Sequence, residues 1–171
     1  MKRLLNILTV VILAITLAAP AHAQTDKQKK AAQKAQEIKA LVDSKNFVFQ
    51  ANYMYPMGGG QRFLTSPYDI TIAKDTVTSF LPYFGVAYNN AGYNNNNDAG
   101  IKFTSTKFDY TVNDLKKGGY RIFIKPNDVP GNVQMYLDVY FNGYANLSIN
   151  SVNRQSIRFD GVVKDRPKTK N

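Results

Sequence analysis

Residues 133–150 read Val-Gln-Met-Tyr-Leu-Asp-Val-Tyr-Phe-Asn-Gly-Tyr-Ala-Asn-Leu-Ser-Ile-Asn. Val133, Met135, Leu137, Val139 and Phe141 stand at every second position, with Gln134, Tyr136, Asp138 and Tyr140 between them. A period of two lines all five apolar groups on one face of a strand. Asn142-Gly143 follows, the dipeptide that most readily takes positive φ at both central positions of a two-residue type I′ turn. Residues 144–150 then return as the partner strand. The stretch predicts an antiparallel hairpin with one buried and one wet face, the unit of an all-β domain rather than of a βαβ fold.

The same period extends in both directions. Phe47, Phe49, Ala51, Tyr53 and Tyr55 alternate with Val48, Gln50, Asn52 and Met54, until Pro56 and Gly58-Gly59-Gly60 end the strand. Residues 62–65 resume an extended pattern, Ser66-Pro67 breaks it, and Tyr68, Ile70 and Ile72 form one face of the next strand. Lys74-Asp75 turns into a β-branched run at 76–81. Further short strands are marked by Ile101 and Phe103, by Phe108, Tyr110 and Val112, and by Tyr120, Ile122 and Ile124 after the Lys116-Lys117-Gly118-Gly119 turn. A loop at 127–132 precedes the opening stretch, and a connector at 151–155 leads to Ile157, Phe159 and Val163. The reading is an all-β domain over 46–163, about eight to ten antiparallel strands closed as a small barrel or folded as a β-sandwich, with one N-terminal helix and a disordered basic tail over 164–171.

The N-terminal region reads differently. Lys2 and Arg3, an apolar run over 4–17 and Ala21-His22-Ala23 have the layout of a cleavable signal peptide over 1–23. The apolar run is shorter than the ~20 residues of a spanning helix, so no transmembrane segment is expected after cleavage. With no cysteine to carry a lipid anchor, the expected location is periplasmic or secreted. Residues 24–45 are rich in Lys, Gln and Ala. Ala31, Ala35, Ile38 and Val42 recur at helical spacing, which predicts a basic helix that docks Ile38, Leu41 and Val42 on the β-domain. The lysines on it read either as a solvated face or as a binding arm.

Residue types that are missing exclude much chemistry. The chain has no cysteine and no tryptophan, and its one histidine, His22, falls in the expected leader. That removes Ser-His-Asp and Cys-His nucleophiles, imidazole acid-base work, and metal sites built on His or Cys. Asp69, Asp75, Asp109 and Asp138 are carboxylates that a glycosidase-type pair would need, but all four fall on outward alternations. The expectation is a non-enzyme with no cofactor and no metal; in the Asn-rich segment that contains residues 94–97, Asp98 alone is not an EF-type ligand set. The formal charge of +10 sits mostly at the ends, since residues 46–163 hold ten basic and eight acidic side chains. Nucleic acid is therefore not an expected partner.

Residues 79–88, Ser-Phe-Leu-Pro-Tyr-Phe-Gly-Val-Ala-Tyr, carry four aromatics in ten positions, with Pro82 and Gly85 forbidding a regular strand through them. Tyr83, Phe84 and Tyr88, joined by Tyr53 and Tyr55, are candidates for the mouth of a binding site, or for a packed sheet corner. Phe80 or Leu81 should face the core. Arg154, between Asn153 and Gln155 on the connector, is a candidate anchor for an anionic group, or a corner residue that bonds loop carbonyls.

The segments Tyr55-Pro56-Met57-Gly58-Gly59, Leu64-Thr65-Ser66-Pro67-Tyr68, Leu81-Pro82-Tyr83-Phe84-Gly85, Gly100-Ile101-Lys102-Phe103 and Asn153-Arg154-Gln155-Ser156-Ile157 together resemble the exported bacterial proteins of domain-of-unknown-function family 4251. The resemblance spans residues 46–163 and implies an exported, mainly β protein of a Gram-negative envelope. It brings no activity, cofactor or catalytic residue. Two roles follow from the whole reading: a β-domain that binds a small apolar or amphipathic ligand, or an envelope structural module that contacts protein or glycan. A cavity bordered by Phe84 would favour the first, and a filled core with an exposed aromatic face the second.

Overall fold

The computed structural model describes residues 20–88 and 100–167. The apolar run expected as a leader, most of the Asn-rich segment and the last four residues lie outside the described residues. Helix α1 (Pro20–Ser44) starts earlier than the sequence suggests and stops where Lys45 takes a positive φ of 49°. The Lys45 amide donates to the Val42 carbonyl at 3.3 Å, closing the last turn.

Nine strands follow, β1 (Phe47–Pro56), β2 (Arg62–Ile72), β3 (Val77–Leu81), β4 (Ile101–Ser105), β5 (Phe108–Asp114), β6 (Tyr120–Pro126), β7 (Gln134–Val139), β8 (Tyr144–Ser151) and β9 (Arg154–Asp165). They form one sheet in the order β4-β3-β2-β1-β9-β8-β7-β6-β5, each neighbour antiparallel. Every neighbour is a sequence neighbour except β1 and β9, which join the two halves of the meander.

The edge strands decide between barrel and sandwich. β4 runs from Ile101, opposite Leu81, to Ser105, opposite Val77; β5 runs from Phe108, opposite Pro126, to Asp114, opposite Tyr120. Both point toward the end where α1 docks, and only Thr106 and Lys107 separate them. They behave as one long bent strand whose first half belongs to one edge of the sheet and whose second half belongs to the other. The bend carries the two edges together, and the sheet becomes a nearly closed barrel. Asp128 holds the corner: Ser105 Oγ donates to its carboxylate, as do the amides of Thr106 (3.0 Å) and Lys107 (3.3 Å). These bonds to the ionised form, the serine first, keep the Asp128 carboxyl below its ordinary pKa.

Inward side chains fill the barrel. Phe47, Phe49, Met54, Ile122, Leu137 and Phe159 are fully buried. Ile38 and Val42 of α1 are buried over one end, and the Tyr110 hydroxyl donates to the Val42 carbonyl at 3.2 Å. Burial raises the Tyr110 phenol's pKa. Leu41 is partly buried against the same core.

Four local expectations change, each for a physical reason. Ala51 faces Gly161 and Tyr53 faces Asp160, so β1 carries one extra residue there. That bulge inverts the phase: Met54 and Pro56 turn inward, Tyr53 and Tyr55 outward. Ser66-Pro67 does not end β2. Between Phe63 and Tyr68 the strand loops away from its β1 partners, which tolerates a residue with no amide hydrogen. The Asn142-Gly143 turn is not type I′, because only Gly143 has positive φ, 87°. Gly143 donates to the Tyr140 carbonyl at 2.9 Å, giving a three-residue loop with a bulge and leaving Phe141 exposed. Finally, β9 takes in Arg154 at one end and Lys164 and Asp165 at the other, residues read as connector and tail.

Gly161 is required by close approach, since a Cβ there would lie 2.0 Å from the Gln50 carbonyl oxygen. Gly161→Ala should cost on the order of 2–3 kcal/mol in urea denaturation. For Asp128, a depressed folded pKa means that its stabilisation is present above the unfolded value, about 3.9, and is lost as pH falls through the folded one. Asp128→Asn should lower Tm at pH 7, and the gap to wild type should narrow below about pH 4; a gap independent of pH would contradict the clamp.

Candidate functional site

The far end of the barrel, opposite α1, is closed by residues 82–88. Pro82 has no amide hydrogen and ends the β3 ladder. Tyr83 then turns under the barrel end, 7% exposed, and packs in one core with Met54, Leu81, Ile101 and Ile157. Its hydroxyl reaches the carbonyls of Val86 at 2.9 Å and Gln155 at 3.2 Å. Gly85, at φ 155°, leaves room for that hydroxyl, since a Cβ would come within 2.8 Å of it. The chain then lies along the start of β9. Gln155 donates its amide to Val86 at 3.1 Å, Tyr88 donates to Asn153 at 2.8 Å, and Ala87 bridges Arg154. The Gln155 side-chain oxygen accepts from the Val86 amide at 3.3 Å.

Arg154 sits beneath this corner, 4% exposed. Nη1 donates to the Gly100 carbonyl at 3.1 Å, and the guanidinium lies 4.9 Å from the centre of the Tyr83 ring. It therefore touches the chain on both sides of the segment 89–99. These are the contacts of a corner residue, with carbonyls and a ring around the cation. Tyr83 likewise plugs the barrel rather than lining a mouth.

The other candidates lie outside the barrel. Phe84 is 47% exposed, with the Arg62 guanidinium 4.5 Å from its ring centre. Tyr53 meets Phe63 edge to face at 5.3 Å, and Phe63, next to Arg62 on β2, is 65% exposed. Tyr88 is exposed as well. Tyr55 lies under Arg158, 4.3 Å from its ring centre to the guanidinium, and the influence of the Asp160 carboxylate raises its pKa. Phe80, read as a core alternative to Leu81, points out; its ring stacks on Tyr68 at 5.6 Å and lies 4.6 Å from Lys102 Nζ. The sequence reading missed Arg62 and Phe63. Alternation of Val77, Ser79 and Leu81 marks Phe80 as outward, but nothing local announces the bulge that turns Tyr53 to Phe63.

The result is an exterior rim of rings and cations at the far end, with Met57, Val86 and Val152 exposed at the same end. Rings and guanidinium groups bind by stacking and desolvation; they move no protons at neutral pH. Among the described residues no three His, Cys, Asp or Glu side chains come together as a metal set. A groove of about 540 Å³ lies at the opposite end, between α1 and β9, lined by Lys34, Glu37, Leu41, Ser44, Val163 and Lys164 among others, and none of the candidate residues borders it. No described helix is long and apolar enough to cross a membrane.

Tyr83→Phe should cost about 1–2 kcal/mol, because the hydroxyl shared by the part-buried Val86 and Gln155 carbonyls is lost and the Gln155 carbonyl loses this donor. Phe84→Ala, at a half-exposed ring, should cost less than about 1 kcal/mol. Chemical denaturation checks both, and a larger loss at Phe84 than at Tyr83 would reverse the assignment of corner and rim.

A solved structure of a DUF4251 family protein from Bacteroides eggerthii is similar to this chain in fold, with a TM-score of 0.59 over 78% of this chain and 89% of that one, at 20% sequence identity. No curated protein matches it. The profile described as "Domain of unknown function (DUF4251)" matches residues 29–163, and over that span, most of its length, the chain belongs to this family.

Proposed function

We propose that the protein is a non-enzymatic, exported interaction module, periplasmic or secreted, that engages a protein partner through the exterior aromatic rim at the far end of its barrel. The observation that carries this reading is a pair of exposed contacts, Tyr53 against Phe63 and Phe84 against Arg62, whose rings are turned to solvent rather than folded inward. Protein interfaces are enriched in Tyr, Phe, Met and Arg, and a few such anchors supply most of the binding energy. An exposed apolar patch of this kind costs solubility, so it is kept where something covers it. The alternative role, carriage of a small apolar ligand, draws less support, since Tyr83 closes the barrel end beneath Phe84 and packs on filled core.

Site-specific photo-crosslinking in the native envelope tests the proposal. A crosslinker at position 63 should trap one discrete partner that a crosslinker at Thr111, exposed on β5, does not. With the crosslinker kept at position 63, the double variant Tyr53→Ser, Phe84→Ser should abolish the adduct without lowering Tm by more than a few degrees. Equal crosslinking at both positions would defeat the rim. A bound small molecule in native mass spectrometry that survives the double variant would favour the carrier instead.

A further inference from the structure

We infer that the part of α1 that precedes its docked turns is an electrostatic arm that holds the domain against an anionic lipid surface. The inference is independent of the aromatic rim. Among the described side chains of the helix the first fully buried one is Ile38, whereas every residue over 26–34 is exposed. At the helical rise of about 1.5 Å per residue, those nine positions extend roughly 13 Å along the axis without burying a side chain.

That stretch carries Lys27, Lys29, Lys30 and Lys34 against Asp26 alone. Lys27 and Lys30 stand three apart and Lys30 and Lys34 four apart, so each pair shares a face and repels. Lys34 has Glu37 at 3.1 Å, but the arm as a whole keeps an excess of positive charge. Residues 46–163 are close to balanced, with ten basic and eight acidic side chains, so the arm is a local source of positive field rather than part of a generally basic protein. A short undocked helix of this composition is marginal in water; an anionic surface alongside it would relieve the repulsion and stabilise the helix.

The residue types select the partner. All four cations are lysines, and the stretch has no arginine and no aromatic ring. It lacks the planar fork that reads phosphate or carboxylate geometry, and the rings on which nucleobases stack. Lysines are point charges on flexible stems, suited to the diffuse field of lipid headgroups, where each contributes on its own. With only Ala31 and Ala32 as apolar groups in the stretch, attachment is peripheral and reversible by salt, not insertion.

The test is co-sedimentation of protein recovered from its host envelope with vesicles of phosphatidylglycerol and phosphatidylcholine, or of phosphatidylcholine alone. Wild type should bind the anionic vesicles, ignore the neutral ones, and come off at about 0.5 M salt, where the screening length falls well below 10 Å. The variant Lys27→Gln, Lys29→Gln, Lys30→Gln should lose about fivefold per lysine, roughly a hundredfold together, with Tm unchanged because none of the three is packed. Equal vesicle binding by variant and wild type would overturn the arm. So would equal binding to neutral vesicles, or binding to soluble polyphosphate with none to vesicles.

Discussion

The pairing of β1 with β9 is the constraint on which the rest depends. Nine ladder positions join residues 47–56 to residues 157–165, and without them the meander falls into two open sheets, β1 to β4 and β5 to β9, each with an unsatisfied edge. With them, the apolar faces of both halves turn into one interior. The bent β4–β5 strand can then close the remaining gap, because each of its halves already belongs to an opposite edge. The helix completes this arrangement by sealing one end with Ile38 and Val42, and Tyr83 seals the other. Stability without a single disulfide follows from an interior of this size, filled by Phe47, Phe49 and Phe159 among others.

Closing both ends in this way also accounts for where the remaining aromatic side chains lie. A barrel plugged by Tyr83 and Arg154 presents its aromatic surplus outward, on strands whose inner faces are already occupied. Arg62, Arg158 and Lys102 lie over Phe84, Tyr55 and Phe80 respectively. Such stacks cover part of each ring's face and hold the cation against it, so this surface is partly ordered by its own contacts.

How much was legible in the sequence differs by scale. The alternation at 133–139, the period change after Lys45 and the turn glycines specify an antiparallel all-β domain with one docked helix, because these signals are local. Bulge and bend are not local in that sense. The extra residue near Asn52 shows only against the β9 ladder, and it takes Tyr53 and Tyr55 off the face they share by alternation with Phe47 and Phe49 and turns them outward. Pro67 read as a break because its missing amide hydrogen is visible, while the detour that makes it harmless is not. Arg154 read as a polar connector residue; its burial depends on Tyr83 and Gly100 arriving from 71 and 54 positions away in the chain. Barrel closure itself rests on β4 and β5 being parallel halves of one strand, which no short motif encodes.

The corner built on Arg154 also decides how the family could vary. Residues 86–88 are tied to β9, and Gly100 to Arg154, so the chain leaves and re-enters the barrel at two points already fixed by other contacts. The cost of connecting fixed points grows only with the logarithm of the connection's length, about 0.6 kcal/mol for each doubling. A change of length between Tyr88 and Gly100 therefore begins and ends at anchored points, and it need not disturb the β9 start or the Arg154 corner that fix them.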